Sequence, residues 1–272
     1  MIASKEFRSK SAISPILRVA GRLFVKPPSV KMKRGLVVVL SLVTVHAREC
    51  NQTTAFNGTA FDLTDCTMLD LSCPTDGIVS RSKTVCANLL RPPQIKMLAR
   101  ALEAAPMLEE ISLRGAPLGG TGTLALAPAL STCASLHTLN LGSCRVGDAG
   151  ARALAKHLLQ PRTPETLRRL DLAHNDIGDD GVRAVVAELT GPDSSSLDSL
   201  DLAWNAIGSR GGRYIGDALK GATRLADLTL SWNGLMDRGA RAIGDALAAN
   251  GALATLDVRA IIPRLRRCAL LF

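Results

Sequence analysis

The chain has 272 residues and a formal net charge of +9. Residues 1–47 hold nine Lys/Arg and one acid, whereas residues 48–258 hold 20 basic and 23 acidic residues. Because binding to a nucleic-acid backbone needs a basic patch on the folded domain, this distribution argues against a nucleic-acid partner. The length suits one folded domain together with targeting segments.

The basic leader, residues 1–47, contains a segment typical of a secretory signal peptide. Residues 33–47 begin with Lys33-Arg34, continue with an apolar run over 35–45 and end with the small residue Ala47. The apolar run is about half of the ~20 residues that a membrane-spanning helix needs, so we expect no transmembrane anchor. We therefore expect a protein that is secreted or lies in the endomembrane lumen.

The first 31 residues leave alternatives open. They are rich in Ser and Arg and nearly free of acid, which is typical of an organelle transit peptide. The same composition fits an upstream extension of the reading frame, with Met32 as the true start. An organelle-targeted or cytoplasmic protein is therefore the alternative location.

Residues 48–79 are predicted to form a cysteine-rich cap at the N-terminal end of the repeats. The exposed end of a repeat core needs a cap, and disulfides could stabilise a small one in an oxidising compartment. The candidate disulfide residues, whose pairing stays open, are Cys50, Cys66, Cys73 and Cys86. A zinc site is the weaker alternative, because the spacing contains no CxxC pair. Asn51 and Asn57 lie in glycosylation sequons, which also favours export.

The strongest signal is a leucine frame, L-x-x-L-x-L-x-x-N/C-x-L, within residues 80–258. Its copies begin at Leu108, Leu136, Leu167, Leu197, Leu225 and Leu253. Numbered from that first leucine, positions 1, 4 and 6 are apolar and alternate with positions 3, 5 and 7. This pattern predicts a short strand with one buried face. Residues with helical periodicity follow, so each repeat is predicted to be a strand, a turn and a helix.

A degenerate repeat is expected before the first full copy. Counting back 28 residues places its strand at Val85, Asn88 and Leu90, and residues 94–105 have helical periodicity. Within the full repeats, the predicted helix N-caps are Asp179, Ser209 and Asp237.

Position 9 of the frame is predicted to be structural. A buried amide there can satisfy backbone groups of the neighbouring turn. The residues concerned are Asn175, Asn205 and Asn233. Cys144 occupies the same position one repeat earlier, as a small buried residue that we expect to be unreactive.

Three repeats resemble a known family: LDLAHNDIGDDGVRAV from Leu170, LDLAWNAIGSRGGRYI from Leu200 and LTLSWNGLMDRGARAI from Leu228. They are similar to the ribonuclease-inhibitor-type leucine-rich repeat family. The resemblance implies an α/β solenoid, a short horseshoe arc with parallel strands on the concave face and helices on the convex face. That family is mainly intracellular, which conflicts with the secretory leader.

Two sets of residues on the expected concave face are candidates for contact with a protein partner. The charged set lies at positions 3 and 5: Arg169, Asp171, Asp201 and Asp227. The aromatic set lies at position 8: His174, Trp204 and Trp232. Trp is a favoured interface anchor. The alternatives are a solvated strip for the charged set and packing between turns for the aromatic set.

The predicted function is a non-enzymatic protein-binding module that uses the concave face. The chain has no GxSxG, P-loop or HExxH motif, and we expect no cofactor, metal or small-molecule substrate. One alternative is a GTPase-activating or other regulatory role resembling the Ran GTPase-activating protein, which would require a cytosolic location. Another is a fragment of a larger immune-receptor-like protein.

The last residues, 259–272, form a basic and apolar tail that leaves the frame. The position-9 Asn is missing and Pro263 discourages regular structure. Either this tail folds back over the core as a cap, or the chain stops in the middle of a repeat.

Overall fold

A computed structural model describes residues 49–51, 63, 65–73, 92–159, 166–190 and 196–260. Eight short strands form one parallel sheet, in which neighbours in the chain are neighbours in the sheet. The strands are β1 (Glu49–Asn51), β2 (Met68–Asp70), β3 (Glu110–Ser112), β4 (Thr138–Asn140), β5 (Arg169–Asp171), β6 (Ser199–Asp201), β7 (Asp227–Thr229) and β8 (Thr255–Asp257).

A helix lies between successive strands from β2 onward. The helices are α1 (Pro92–Glu103), α2 (Gly119–Leu130), α3 (Gly147–Leu154), α4 (Asp179–Ala187), α5 (Ser209–Leu219) and α6 (Met236–Leu247). Helix α3 continues into one π-helical turn, Ala155–Leu159. The helix predicted at 94–105 is confirmed as α1.

The core consists of leucine layers stacked from repeat to repeat. Leu170 pairs with Leu200, which pairs with Leu228, and all three side chains are buried. The residues on either side of each leucine in its strand are exposed or half-buried, as a period of two requires. Each repeat buries its apolar side against its neighbours, which confirms the predicted strand–helix solenoid.

The strand predicted at 85–90 was placed wrongly. β3 pairs directly with β2, so no strand from the 85–90 segment lies between them. Cys66, Leu69 and Leu71 occupy frame positions 1, 4 and 6 here and are all buried. The cysteine at position 1 conceals the frame, and the 42-residue step from Cys66 to Leu108 defeats counting by 28.

Two of the four candidate cysteines before the repeats, Cys66 and Cys73, are disulfide-bonded in the structure. The side chain of Cys50 and the whole of Cys86 lie outside the described residues, so the four-cysteine pairing remains a prediction. The leader, the side chain of Asn51, residue Asn57 and the tail from residue 261 also lie outside them.

Buried asparagines join each turn to the one before it. Asn205 Oδ1 accepts hydrogen bonds from the backbone N–H groups of Asn175 (3.1 Å) and Ile177 (2.9 Å). Its Nδ2 donates to carbonyls in its own repeat and to Leu172 O, at 2.9 Å, in the preceding one. Asn175 and Asn233 bond in the same way to their own preceding repeats. The predicted structural role of position 9 is confirmed.

Cys144 supports its turn less completely. Its thiol donates to Leu113 O at 3.0 Å, the bond that corresponds to Asn175 Nδ2 donating to Leu141 O. A thiol has no second strong group to accept backbone N–H bonds, and the preceding turn instead closes on itself through Ala116 N–H to Leu113 O.

The predicted N-caps do not cap their own helices. Helices α4 and α5 start after Gly178 and Gly208, and neither start has a side-chain cap. Asp179 instead reaches into the next repeat, where its Oδ1 accepts N–H bonds from Gly208 (2.7 Å) and Gly211 (2.8 Å). A Cβ on Gly211 would lie 2.6 Å from that oxygen, so glycine is required by the close approach.

The remaining two predicted caps also differ from expectation. The Ser209 hydroxyl donates to Leu235 O at 3.0 Å, again in the next repeat. Helix α6, which contains Asp237, starts after Leu235 without a side-chain cap. Sequence spacing cannot separate capping of one's own helix from capping of the following helix, because both place an acid near a helix start.

We predict that Asn205→Ala lowers the free energy of unfolding by about 3 kcal/mol, because several buried backbone groups lose their partner together. The matched control is Asn140→Ala on the exposed side of β4, where one bond to the Gly142 N–H (2.9 Å) is lost. That change should cost less than about 1 kcal/mol. Urea unfolding measures both. Equal small losses would show that the turns do not depend on the amides.

Candidate functional site

The open face of the sheet is the side that carries positions 3, 5 and 7 of the repeats. The register brings the predicted charged residues together: Asp171 pairs with Asp201 across β5 and β6, and Arg169 is aligned through Ser199 with Asp227. All four predicted charged residues are exposed or half-buried. The structure therefore places them on one surface.

An arginine that the sequence analysis did not select balances part of this charge. Arg114 Nη1 lies 3.3 Å from Asp171 Oδ2, although the two residues are 57 apart in sequence. The guanidinium reaches across the intervening repeat because Gly142 has no side chain, and a Cβ there would lie 2.6 Å from Arg114 Nη1. Arg169, the cation expected to act here, instead donates to Thr138 and lies 3.9 Å from Glu110.

Asp201 is the carboxylate with the least support on this face. Burial raises the pKa of the Asp201 carboxyl, the negative charge of Asp171 adds to the rise, and a hydrogen bond from the Ala203 N–H (2.8 Å) opposes it. Its neighbour in the last strand behaves oppositely. The Arg259 guanidinium lowers the pKa of Asp257 to about 2.

The three predicted aromatic residues form a continuous stack, which we call the aromatic ladder (His174, Trp204, Trp232). The ring centroids of His174 and Trp204 are 4.9 Å apart, with 13° between the ring planes. Those of Trp204 and Trp232 are 4.3 Å apart, with 12° between the planes. Trp232 is 49% exposed.

The backbone at the aromatic ladder is left-handed. His174, Trp204 and Trp232 have φ of 57°, 56° and 60°. The other residues at frame position 8 also have positive φ: Gly115, Ser143 and Ala260. Each ladder N–H donates to a carbonyl of the next repeat, which holds the rings in register.

A left-handed conformation costs roughly 1–2 kcal/mol for a residue other than Gly or Asn. A stacked aromatic pair gains about 0.5–1.5 kcal/mol. The two contributions are of similar size, so ring stacking gives little net reason for tryptophan at this position. Stability alone does not explain the ladder.

Other reactive groups in the described ranges offer little for catalysis. Burial raises the pKa of the Cys133 thiol to about 11 and that of the Cys144 thiol to about 12. Both thiols are therefore protonated at neutral pH. Within 49–51, 63, 65–73, 92–159, 166–190 and 196–260, no group of three His, Cys, Asp or Glu could hold a metal ion. None of the helices seen in these ranges is long and apolar enough to cross a membrane.

Comparison with known proteins identifies the repeats. A leucine-rich-repeat family model matches residues 132–155, 163–186 and 193–216. Tonsoku-like protein of Bos taurus is 38% identical over 96 residues, 35% of this chain and 7% of its own length. NACHT, LRR and PYD domains-containing protein 12 of Mus musculus is 35% identical over 163 residues, 50% of this chain and 15% of its own length.

Ribonuclease inhibitor of Sus scrofa is 36% identical over 112 residues, 41% of this chain and 24% of its own length. The chain therefore spans a quarter or less of each of these three relatives. Together with the strand–helix repeats, these matches confirm the predicted type of repeat.

We predict that Trp204→Asn is more stable than Trp204→Ala by roughly 1 kcal/mol, because Asn tolerates the left-handed conformation and Ala does not. Both variants lose the same ring contacts, so their difference isolates the backbone. Urea unfolding of the two purified variants measures it. A Trp204→Ala protein as stable as Trp204→Asn would contradict the left-handed assignment.

Proposed function

We propose that this chain, whose repeat region is of the ribonuclease-inhibitor leucine-rich type, is a non-enzymatic protein-binding module. The binding surface is the open face of the sheet, which forms the concave side of the solenoid, together with the aromatic ladder. Leucine-rich repeats in general suggest protein binding. The finer assignment rests on residues of this chain.

The observation that carries the proposal is an exposed indole in an unfavourable backbone conformation. Trp232 is half exposed and left-handed, and it is stacked on a second left-handed tryptophan. Backbone strain that packing does not explain is a feature of functional sites. Tryptophan is also among the residues that dominate binding energy at protein interfaces. A contact surface accounts for both facts.

The charged residues beside the ladder support a protein partner of complementary charge. Asp171 and Asp201 lie in directly paired strands, and Asp227 follows in the next strand. Like charges on adjacent strands are mildly unfavourable unless a cation offsets them. Arg114 offsets Asp171 within the chain, and a basic partner would do so for the others.

The non-enzymatic assignment is supported by the chemistry of the open face. Its groups are carboxylates, guanidinium groups and stacked rings, and the described thiols are buried and protonated. An activated nucleophile needs an adjacent base or a lowered pKa, and neither accompanies these thiols.

We also propose that the protein is exported through the secretory pathway. The signal-like segment 33–47 and the sequons at Asn51 and Asn57 support this location. The disulfide-bonded Cys66 and Cys73 support it too, because disulfides persist in oxidising compartments.

We expect the variant carrying both Trp204→Asn and Trp232→Asn to lose at least about tenfold of the protein that the wild-type chain captures, while its stability changes by only about 1 kcal/mol. Quantitative pull-down with the full chain as bait, beside urea unfolding, measures both quantities. The control variant is Arg213→Ala with Arg241→Ala, on helices α5 and α6, and it should capture as the wild type does. Undiminished capture by the tryptophan variant would refute the proposed surface, and parallel losses of capture and stability would show the ladder to be packing.

We expect a mature N-terminus near Arg48, with sugar on Asn51 or Asn57, when the chain is made in a secretory eukaryotic host. Intact-mass spectrometry before and after enzymatic removal of N-linked sugar measures both. Asn51→Gln and Asn57→Gln assign the modified residue. An uncleaved leader with unmodified asparagines would place the protein inside the cell.

A further inference from the structure

The aromatic ladder ends on an uncovered ring. His174 covers one end of the tryptophan pair, and the rings follow at 4.9 and 4.3 Å between centroids. The next residue in the same left-handed position is Ala260, whose methyl group cannot continue the stack. The outer face of Trp232 is therefore open to a flat group that would lie at the same spacing.

Two carboxylates on the open face have no basic partner in the part of the chain that the structure describes. They are Asp201 and Asp227, which belong to the repeats that supply the two tryptophans. Every other acid at positions 3 and 5 from β3 to β8 has one: Glu110 has Arg169, Asp171 has Arg114 and Asp257 has Arg259. Unpaired negative charge is thus confined to the repeats of the open rings.

The chain's own arginines on this face are already engaged. Arg259, which follows β8, donates to both carboxylate oxygens of Asp257, from Nε at 3.0 Å and from Nη2 at 2.7 Å. Arg114 is held by Asp171. An additional cation at Asp201 and Asp227 would therefore come from outside the chain.

We propose that Trp232, Asp201 and Asp227 bind an arginine side chain of the protein partner. This inference rests on the proposed function and specifies the chemistry of its partner. A guanidinium is planar, so it can extend the ring stack, and it carries the charge that the carboxylates lack. Its N–H groups match carboxylate oxygens in pairs. A lysine ammonium offers the charge without the flat surface, so arginine is preferred over lysine.

The chain reports on this site without labelling. It contains two tryptophans, and both lie in the ladder. Intrinsic tryptophan fluorescence of the full-length protein therefore follows the site alone. The probes are three capped peptides of one length, in which Gly alternates with Arg, with Lys or with Glu.

We expect the Arg peptide to change the emission saturably, with a Kd at least about threefold below that of the Lys peptide and no saturable change from the Glu peptide. The variant carrying Asp201→Asn and Asp227→Asn should bind the Arg peptide at least about fivefold more weakly. The control variant, Asp237→Asn with Asp245→Asn on helix α6, has the same net charge and should bind as the wild type does.

Equal affinity for the Arg and Lys peptides, equal weakening in both Asp variants, or unchanged emission would overturn the inference. These results separate it from the proposed function. If the tryptophan variant loses captured protein while the Arg peptide leaves emission unchanged, the surface binds protein by other chemistry and only this inference fails. If the Arg peptide binds as expected while the tryptophan variant captures normally, the proposed function fails instead.

Discussion

The hydrogen bonds of the buried position-9 asparagines are the constraint on which the other features depend. Each turn leaves strand geometry and exposes backbone N–H and C=O groups that the core cannot hydrate. The amide of the following repeat supplies both a donor and an acceptor, as Asn205 does for Ile177 N–H and Leu172 O. The turn is therefore complete only when its neighbour is present. That dependence fixes the strand register and the direction of every side chain on the open face.

Fixing the turn at position 9 leaves position 8 free for function. Asn205 points inward and is buried, while Trp204 beside it is left-handed and lies at the surface. The two residues are adjacent in sequence yet serve different ends. A change of side chain at position 8 leaves the buried amide bonds in place. A set of contacts with a partner can thus be changed without rebuilding the fold.

The strands, helices and stacked leucines could be predicted from the sequence because each depends on residues within one repeat. The aromatic ladder could also be predicted, since equal frame positions lie side by side in a solenoid. Arg114 could not, because its contact with Asp171 skips a repeat and requires the absent side chain of Gly142. The role of Asp179 failed for a related reason: its carboxylate serves the next repeat, and local spacing is the same in either case. The first strand pair was misplaced because a cysteine hides its frame.

The hydrogen bonds of the position-9 amides also bear on how the chain folds. Those between repeats join residues only 26 to 34 apart in sequence, from Ile207 with Asn233 to Leu141 with Asn175. Closing such short loops costs little entropy, and each repeat contacts only its neighbours, so folding can start at any adjacent pair and spread outward. Unfolding proceeds in reverse, from the terminal strands toward the centre. Trp204 and Trp232 lie beyond the middle of this sequence of events, and a partner that bridges them would hold two repeats together while the ends open and close.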